Sequence, residues 1–221
     1  MRIFIIIPAF NEEKNIIAVI QNLKNRIPFA ELVVVDDCSQ DSTFQFVKKT
    51  DVAVLRHIVN RGQGAALQTG NEYALKNGAD IIVHFDADGQ HRVEDLEKII
   101  KPIKDGETDI TLGSRFLNIS SKIPFTKKYF ILKPAVIFNR LFTGLKLTDA
   151  HNGLRAFSLE AAGKIKITQD RMAHATEIIS EIKKSGLKYQ EVPIKIIYNK
   201  YGQKFTDGFC IVKDLIFRKI L

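Results

Sequence analysis

Short apolar segments rich in isoleucine and valine recur through the first half of the chain, with helix-like segments between them. Each apolar segment holds four to six residues, a length typical of a strand that is buried on both faces. The predicted strands lie at residues 2–7, 32–35, 52–55, 81–85 and 109–112. Strands that alternate with helices in this way predict an α/β fold, with a mostly parallel central sheet and helices on both faces.

Helices are predicted between these strands, and the first of them has a start signal. They cover residues 12–26, 39–49, 62–77 and 93–104. Asn11 is a suitable N-cap for the first helix, and Glu12 and Glu13 would place negative charge in its first turn, where it favours the helix dipole. The second half is less regular, with helices predicted over 134–142 and 207–221, a helix that ends at Gly186, and strands within 149–157 and 189–197.

The composition is that of an ordinary globular protein. Apolar residues make up 45% of the chain and charged residues 26%, which excludes intrinsic disorder. No apolar run approaches the ~18 residues that would span a membrane, and the amino terminus lacks the long apolar region of a signal peptide. The two cysteines, Cys38 and Cys210, are far apart in the sequence, which favours a reduced, cytoplasmic protein. No repeat or linker interrupts the chain, so one domain is predicted over residues 1–221.

Positive charge is concentrated at the carboxyl terminus. The net charge is +8, and residues 183–221 contain nine basic and three acidic side chains. Such a basic end indicates an anionic partner, either a phosphate or an acidic membrane surface. No nucleic-acid-binding module accompanies the charge, so nucleic acid is not expected as a partner. The apolar and basic stretch at 209–221 could instead lie in a membrane interface, bind a membrane partner protein, or pack on the domain.

Polar clusters follow four of the predicted strands, at residues 8–13, 36–41, 86–91 and 113–115. In open parallel sheets, ligands bind at the carboxyl ends of the strands, so these clusters are expected to meet at one site. Asp86 and Asp88 form the sharpest feature, because an Asp-x-Asp pair in a loop can direct two carboxylates to one point. Such oxygen ligands, together with a diphosphate, suit Mg²⁺ or Mn²⁺.

Several other kinds of site are excluded by their missing signatures. Neither the GxGxxG fingerprint nor a P-loop is present, and His91 stands where a calcium-binding EF-hand loop needs glycine. The five histidines are scattered, which argues against a zinc site. The segment Arg61-Gly62-Gln63-Gly64 opens a predicted helix and could approach a phosphate, although this signal is weak by itself.

Six motifs in this order resemble the family-2 glycosyltransferases, and most closely the dolichyl-phosphate mannosyltransferase-like subgroup. The motifs are IPAFNEE, VVVDDCSQDST, NRGQGAALQTG, FDADGQH, LGSRF and TDAHNGLRAF. The resemblance covers roughly residues 3–202. It implies a single-domain A-type glycosyltransferase fold, in which residues 1–113 bind the nucleotide sugar and metal and residues 114–221 bind the acceptor.

The resemblance also implies a set of donor-binding residues. Those expected to border the base and ribose are Pro8, Phe10, Asn11 and Glu12. Asp36 is expected to contact the nucleotide from the end of the second strand. The expected ligands of Mg²⁺ or Mn²⁺, and through the metal of the donor diphosphate, are Asp86, Asp88 and Gln90. A UDP-sugar and a GDP-sugar both fit these motifs.

The acceptor side is implied by later motifs. Arg115 would approach a phosphate of the acceptor, and Asp149 and Arg155 match the family's acidic loop and the arginine that follows it. The residues expected to act in catalysis are Asp88, Arg115 and Asp149, while Arg155 is grouped with the donor-binding residues. The chain contains no tryptophan and therefore lacks the Gln-x-x-Arg-Trp motif of processive polysaccharide synthases.

The predicted function is an inverting, metal-dependent transfer of a sugar from a nucleoside diphosphate sugar to a polyprenyl phosphate. The predicted location is the cytoplasmic face of a membrane, where the enzyme would bind peripherally. A sugar hydroxyl is the competing acceptor, and it would require a carboxylate base such as Asp149 or Glu177. Two competing functions are a non-catalytic sugar- or lipid-binding module and a nucleotidyltransferase, although a nucleotidyltransferase usually has a glycine-rich loop after its first strand.

Overall fold

A seven-stranded sheet forms the centre of the protein. The computed structural model describes residues 1–117, 145, 147–149, 152–171 and 173–197. The strands in chain order are β1 (Ile3–Ala9), β2 (Glu31–Asp36), β3 (Ala53–Arg56), β4 (Ile81–His84), β5 (Ile110–Ser114), β6 (Arg155–Ser158) and β7 (Tyr189–Pro193). Their order across the sheet is β3-β2-β1-β4-β6-β5-β7, and only β6 runs antiparallel to its neighbours. The predicted mostly parallel α/β fold is confirmed.

Helices cover both faces of this sheet. They are α1 (Ile16–Arg26), α2 (Thr43–Lys48), α3 (Gln63–Lys76), α4 (Leu96–Lys104, after a 3₁₀ turn at Val93–Asp95), α5 (Leu159–Lys164) and α6 (His174–Ser185). The alternation of side chains along β1 explains the two layers. Ile3, Ile5 and Ile7 pack in one buried cluster with α1 and α4, and Phe4 and Ile6 pack in the other with α3, α5 and α6. None of the described helices is both long and apolar enough to cross a membrane.

The first helix begins later than predicted. It starts at Ile16, and residues 12–15 form a turn in which the Ile16 amide donates to the Glu12 carbonyl at 2.9 Å. Asn11 is therefore not its N-cap. Asn11 instead adopts a left-handed backbone with φ of 57°, and its side-chain oxygen accepts a hydrogen bond from the Gln40 amide at 2.8 Å. This contact joins the loop after β1 to the loop after β2.

The strand directions bring the polar clusters to one edge of the sheet. β1, β2, β4 and β5 all end at this edge, and the antiparallel β6 begins there. Arg155, the first residue of β6, lies in register between His84 of β4 and Leu112 of β5. The loops before and after these positions therefore meet in one region. The helices predicted over 134–142 and 207–221 lie outside the described residues.

Candidate active site

A cleft of about 460 Å³ opens at this edge of the sheet. Its walls come from the end of β1, the start of α3 and the loop after β4. Six residues singled out in the sequence line it, namely Pro8, Phe10, Glu12, Asp86, Asp88 and Gln90, and they are joined by Asp37, Asn60, Gly62 and Gln63. Phe10 is 44% exposed, so its ring offers an apolar surface to a ligand. A cleft of this size, with an aromatic group and several carboxylates, suits a polar small molecule.

Two consecutive aspartates at the end of β2 have different surroundings. The Asp36 side chain is fully buried, and one of its oxygens lies 3.1 Å from Nε of Arg56. Asp37 lines the cleft, and its carboxylate accepts hydrogen bonds from the amides of Arg61 at 2.9 Å and Gly62 at 2.6 Å. His57 Nδ1 lies 2.7 Å from Asp37 Oδ1. The family resemblance implied a nucleotide contact for Asp36, but of these two aspartates it is Asp37 that lines the cleft.

Asp86 is held by side chains on both of its oxygens. Gln63 Nε2, at the start of α3, donates to Oδ1 at 2.8 Å, and His91 Nε2 lies 2.9 Å from Oδ2. Burial acts to raise the pKa of Asp86, but the hydrogen bond from His91 and the charge of Arg155 lower that pKa overall. Asp86 is therefore an ionised carboxylate with a fixed orientation. Sequence reasoning missed Gln63 and His91 as its partners, although both lie inside the quoted motifs.

Asp88 and Glu12 add two further carboxyl groups to the cleft. Burial raises the pKa of Asp88, and repulsion from Asp86 raises it further. Burial also raises the pKa of Glu12, with smaller contributions from the charges of Asp88 and Asp86. Raised pKa values of this kind show that the ionised forms are destabilised, mainly by burial and in smaller part by the neighbouring negative charges. A cation bound between them would remove that repulsion.

The donor atoms in the cleft fit a divalent metal that shares its coordination with a substrate. Within the described ranges, no group of three or more His, Cys, Asp or Glu is arranged to hold a metal ion by itself. Mg²⁺ in phosphate-handling sites is commonly bound by one or two carboxylates plus substrate phosphates, and it keeps several waters. Asp86, Asp88 and Gln90 line the cleft and carry hard oxygen atoms of the type that such a metal binds.

A neighbouring segment packs against the start of α3, although Gly62 and Gln63 there still line the cleft. The Ala65 amide donates to the Asp170 carbonyl at 3.2 Å, so a neighbouring segment caps the helix. A Cβ atom on Gly64 would lie 1.9 Å from the Gln169 carbonyl oxygen, so this glycine is explained by close backbone packing. Glu177 fastens the same segment, because its carboxylate accepts hydrogen bonds from the amides of Thr168 at 3.0 Å and Gln169 at 2.9 Å.

Three further charged residues, Arg115, Asp149 and Arg155, are not among the residues that line the cleft. Arg115 follows β5 and binds Asp149 in a two-pronged pair, with Nε to Oδ2 and Nη2 to Oδ1 both at 2.6 Å. Arg155 is buried, and burial lowers its pKa to about 10 while the charges of Asp86 and Asp149 act in the opposite direction. Arg155 therefore balances the negative charge of both carboxylates. The guanidinium of Arg155 thus interacts electrostatically with the loop that carries Asp86 and with the loop that carries Asp149.

Comparison with known proteins agrees with this geometry. The family described as glycosyl transferase family 2 matches residues 4–166. The chain belongs to this family. The glycosyltransferase is 36% identical to the UDP-N-acetylglucosamine–dolichyl-phosphate N-acetylglucosaminyltransferase of Methanococcus voltae, over 99% of this chain and 96% of that protein. It is 27% identical to the undecaprenyl-phosphate mannosyltransferase of Micrococcus luteus, over 94% and 88% of the two chains.

Solved structures confirm the A-type fold of this glycosyltransferase. Glucosyl-3-phosphoglycerate synthase of Mycobacterium tuberculosis, solved with Mg²⁺ and UDP, superposes with a TM-score of 0.76 at 18% identity. The match covers 98% of this chain and 79% of that protein. At this identity the comparison concerns the fold alone. The resemblance to family-2 glycosyltransferases and the predicted fold class are thus both confirmed.

Proposed function

We propose that this glycosyltransferase moves a sugar from a nucleoside diphosphate sugar to a polyprenyl phosphate, with inversion at the sugar and with a divalent metal. The observation that carries the proposal is the set of carboxylates in the cleft, where Asp86 is oriented by two side chains beside Asp88. The two relatives named above support the acceptor class, since both of their names specify a polyprenyl-type phosphate. UDP-N-acetylglucosamine is the first donor to test, because the relative at 36% identity is named for it.

The donor would lie along the cleft with its base near β1 and its diphosphate near the loop after β4. Phe10 offers a ring for stacking on the base, and the buried carboxylate of Asp37 holds the amides of Arg61 and Gly62 at the wall of the same cleft. Asp86, Asp88 and Gln90 would hold Mg²⁺ or Mn²⁺, which when bound supplies Lewis-acid stabilisation of the departing nucleoside diphosphate. Pro8 and Glu12 complete the wall on the β1 side.

The acceptor side favours an ionised phosphate over a sugar hydroxyl. An acceptor phosphate oxygen would bond to the anomeric carbon as the bond from that carbon to the donor diphosphate breaks, and no proton has to be removed. A hydroxyl acceptor would need a general base. Asp149 is poorly arranged for that role, because both of its oxygens accept hydrogen bonds from Arg115. The Glu177 carboxylate is also engaged, because it accepts hydrogen bonds from the backbone amides at 168–169. We therefore assign Arg115 to the phosphate and Asp149 to the orientation of Arg115.

Access to a lipid acceptor would come from peripheral binding at the cytoplasmic face of the membrane. The basic charge that motivates this part of the proposal lies mainly in residues 183–221, of which 198–221 are outside the described residues. Each basic residue near an anionic leaflet adds about 1 kcal/mol of attraction, which decays within a Debye length. Membrane attachment of this kind would be reversible and sensitive to salt.

The acceptor and the metal can be tested in one transfer assay. The purified enzyme is given UDP-N-acetylglucosamine, UDP-glucose or GDP-mannose, with Mn²⁺, Mg²⁺ or EDTA. The acceptor is a polyprenyl phosphate in vesicles with or without anionic lipid, at low and high salt, and a soluble sugar serves as the competing acceptor. We expect metal-dependent glycolipid formation that is fastest on anionic vesicles at low salt. Equal transfer to the soluble sugar, or full activity in EDTA, would contradict the proposal.

Asp37 provides a separate test of the donor site. Asp37→Asn keeps the size of the side chain but places an amide group against the donating amides of Arg61 and Gly62. Hydrogen bonds to a charged group contribute roughly 1.5–3 kcal/mol, and their loss would displace the segment at 60–63 that lines the cleft. We therefore expect UDP to bind about ten-fold or more weakly in calorimetry with Mn²⁺. Asp51→Asn is the matched control, because Asp51 is 85% exposed and pairs with Lys24 on the surface. Equal affinity in the Asp37 and Asp51 variants would remove Asp37 from the donor site.

A further inference from the structure

We propose that Glu191 is a positioning residue for Arg115, and that it acts through the turn at residues 148–149. Glu191 lies on β7, which pairs in parallel with β5, and it is in register with Leu112. Its carboxylate reaches the turn and accepts hydrogen bonds from the Thr148 amide at 2.9 Å, the Thr148 hydroxyl at 2.9 Å and the Asp149 amide at 3.0 Å. One side chain therefore fixes two consecutive backbone amides.

The turn at residues 148–149 also holds Arg115 in place. Besides the two side-chain contacts from Arg115, Asp149 Oδ2 accepts a hydrogen bond from the Arg115 backbone amide at 3.0 Å. The Thr148 hydroxyl also lies 2.6 Å from the Ser114 hydroxyl, next to Arg115 at the end of β5. The Asp149 side chain is only 2% exposed and that of Arg115 is 14% exposed, so water does not readily replace these contacts. The direction of the guanidinium is thus set by groups on the turn.

Glu191 contacts Arg115 only indirectly, through the turn at residues 148–149, in the contacts described above. Its hydrogen bonds go to the turn, and the turn carries the contacts to Arg115. If the carboxylate is removed, the amides of Thr148 and Asp149 lose their acceptor, and the part-buried turn is expected to relax. Asp149 would then no longer be held where both of its oxygens meet Arg115. Glu191 also lies outside residues 4–166, the segment matched by the family.

The structural part of this inference can be measured without any assay of transfer. Backbone amide hydrogen exchange is followed by NMR in Glu191→Ala, Glu191→Gln and Glu160→Gln. We expect the amides of Thr148, Asp149 and Arg115 to exchange about ten- to a hundred-fold faster in Glu191→Ala, because their acceptors are lost or loosened. Glu191→Gln keeps one acceptor oxygen and should fall between that variant and the wild type. Glu160→Gln, which removes a surface pair with Lys164, should leave all three amides unchanged.

The functional part rests on the proposed function, and it has its own measurement. In Glu191→Ala we expect KM for the polyprenyl phosphate to rise about ten-fold, with UDP affinity unchanged. In an Arg115→Ala background, the Glu191 substitution should add nothing further to KM, because it acts through Arg115. Unchanged exchange at the Arg115 amide, or an equal KM effect with and without Arg115, would overturn the inference. If the wild type transfers to no polyprenyl phosphate, the proposed function fails, and the exchange rates still decide the role of Glu191.

Discussion

Replacing Asp88 by Asn is expected to reduce sugar transfer at least about a thousand-fold while the protein stays folded. A factor of a thousand corresponds to about 4.1 kcal/mol of transition-state stabilisation, which is the scale expected when a site loses a charged ligand of its metal. The stability of the variant should be equal to or slightly greater than that of the wild type. The pKa of Asp88 is raised in the folded protein, so its ionised form is destabilising at neutral pH, and the neutral amide removes the repulsion from Asp86.

Three measurements together test this expectation. Transfer is assayed with saturating donor, UDP binding is measured by calorimetry with and without Mn²⁺, and thermal unfolding reports the stability. Glu94→Gln is the matched control, since Glu94 is 52% exposed and its nearest ion partner is Arg92. We expect the Asp88 variant alone to lose both transfer and the dependence of UDP binding on Mn²⁺. Activity within ten-fold of the wild type would show that Asp88 does not act in this way.

Replacing Gly153 by Ala is expected to disrupt the site by displacing the carboxylate of Asp86. A Cβ atom at this position would lie 2.2 Å from Oδ2 of Asp86, a separation that cannot be accommodated without movement of the carboxylate or of the loop. The same oxygen receives the hydrogen bond from His91, so displacement of Asp86 would break that contact as well. Overpacking of this kind costs roughly 1–3 kcal/mol of stability, and misplacement of a reacting group by about 1 Å can cost about a hundred-fold in rate.

Gly163→Ala is the natural control for this substitution. Gly163 lies in α5, and a Cβ atom there would meet no other atom within 4 Å. Because alanine is favoured over glycine inside a helix, this variant should be more stable by roughly 0.5–1 kcal/mol with normal activity. The two variants are compared by chemical unfolding and by the transfer assay. A Gly153→Ala variant with the transfer rate of the wild type would show that the close contact between Gly153 and Asp86 is not needed for activity.

The sequence was sufficient to predict the architecture of the first half and the meeting of the polar clusters at one edge of the sheet. Apolar segments of four to six residues alternate there with helix-like segments, and this local pattern is decided by which side chains are apolar. In a parallel sheet the strand ends must meet at one edge, so the clusters around Asp86 and Asp88 could be assigned to a common site. The carboxylate pair and the family resemblance then predicted the chemistry.

Only the tertiary structure decided which neighbouring residues perform which task. The sequence could not separate Asp36 from Asp37, because the two differ only in their partners. Arg56 pairs with Asp36, and the backbone amides at 61–62 donate hydrogen bonds to Asp37. It also placed Asn11 as a helix cap, whereas that side chain holds Gln40 on another loop.

The same holds for the charged groups around the site. The sequence alone makes Asp149 a candidate base, but both of its oxygens accept hydrogen bonds from Arg115, and no motif in the sequence points to Glu191. Local propensity and spacing determine which residues reach the edge of the sheet. Many of the partners that set their charge and orientation come from segments that are 23 to 43 positions away in the chain, and only folding brings those segments together.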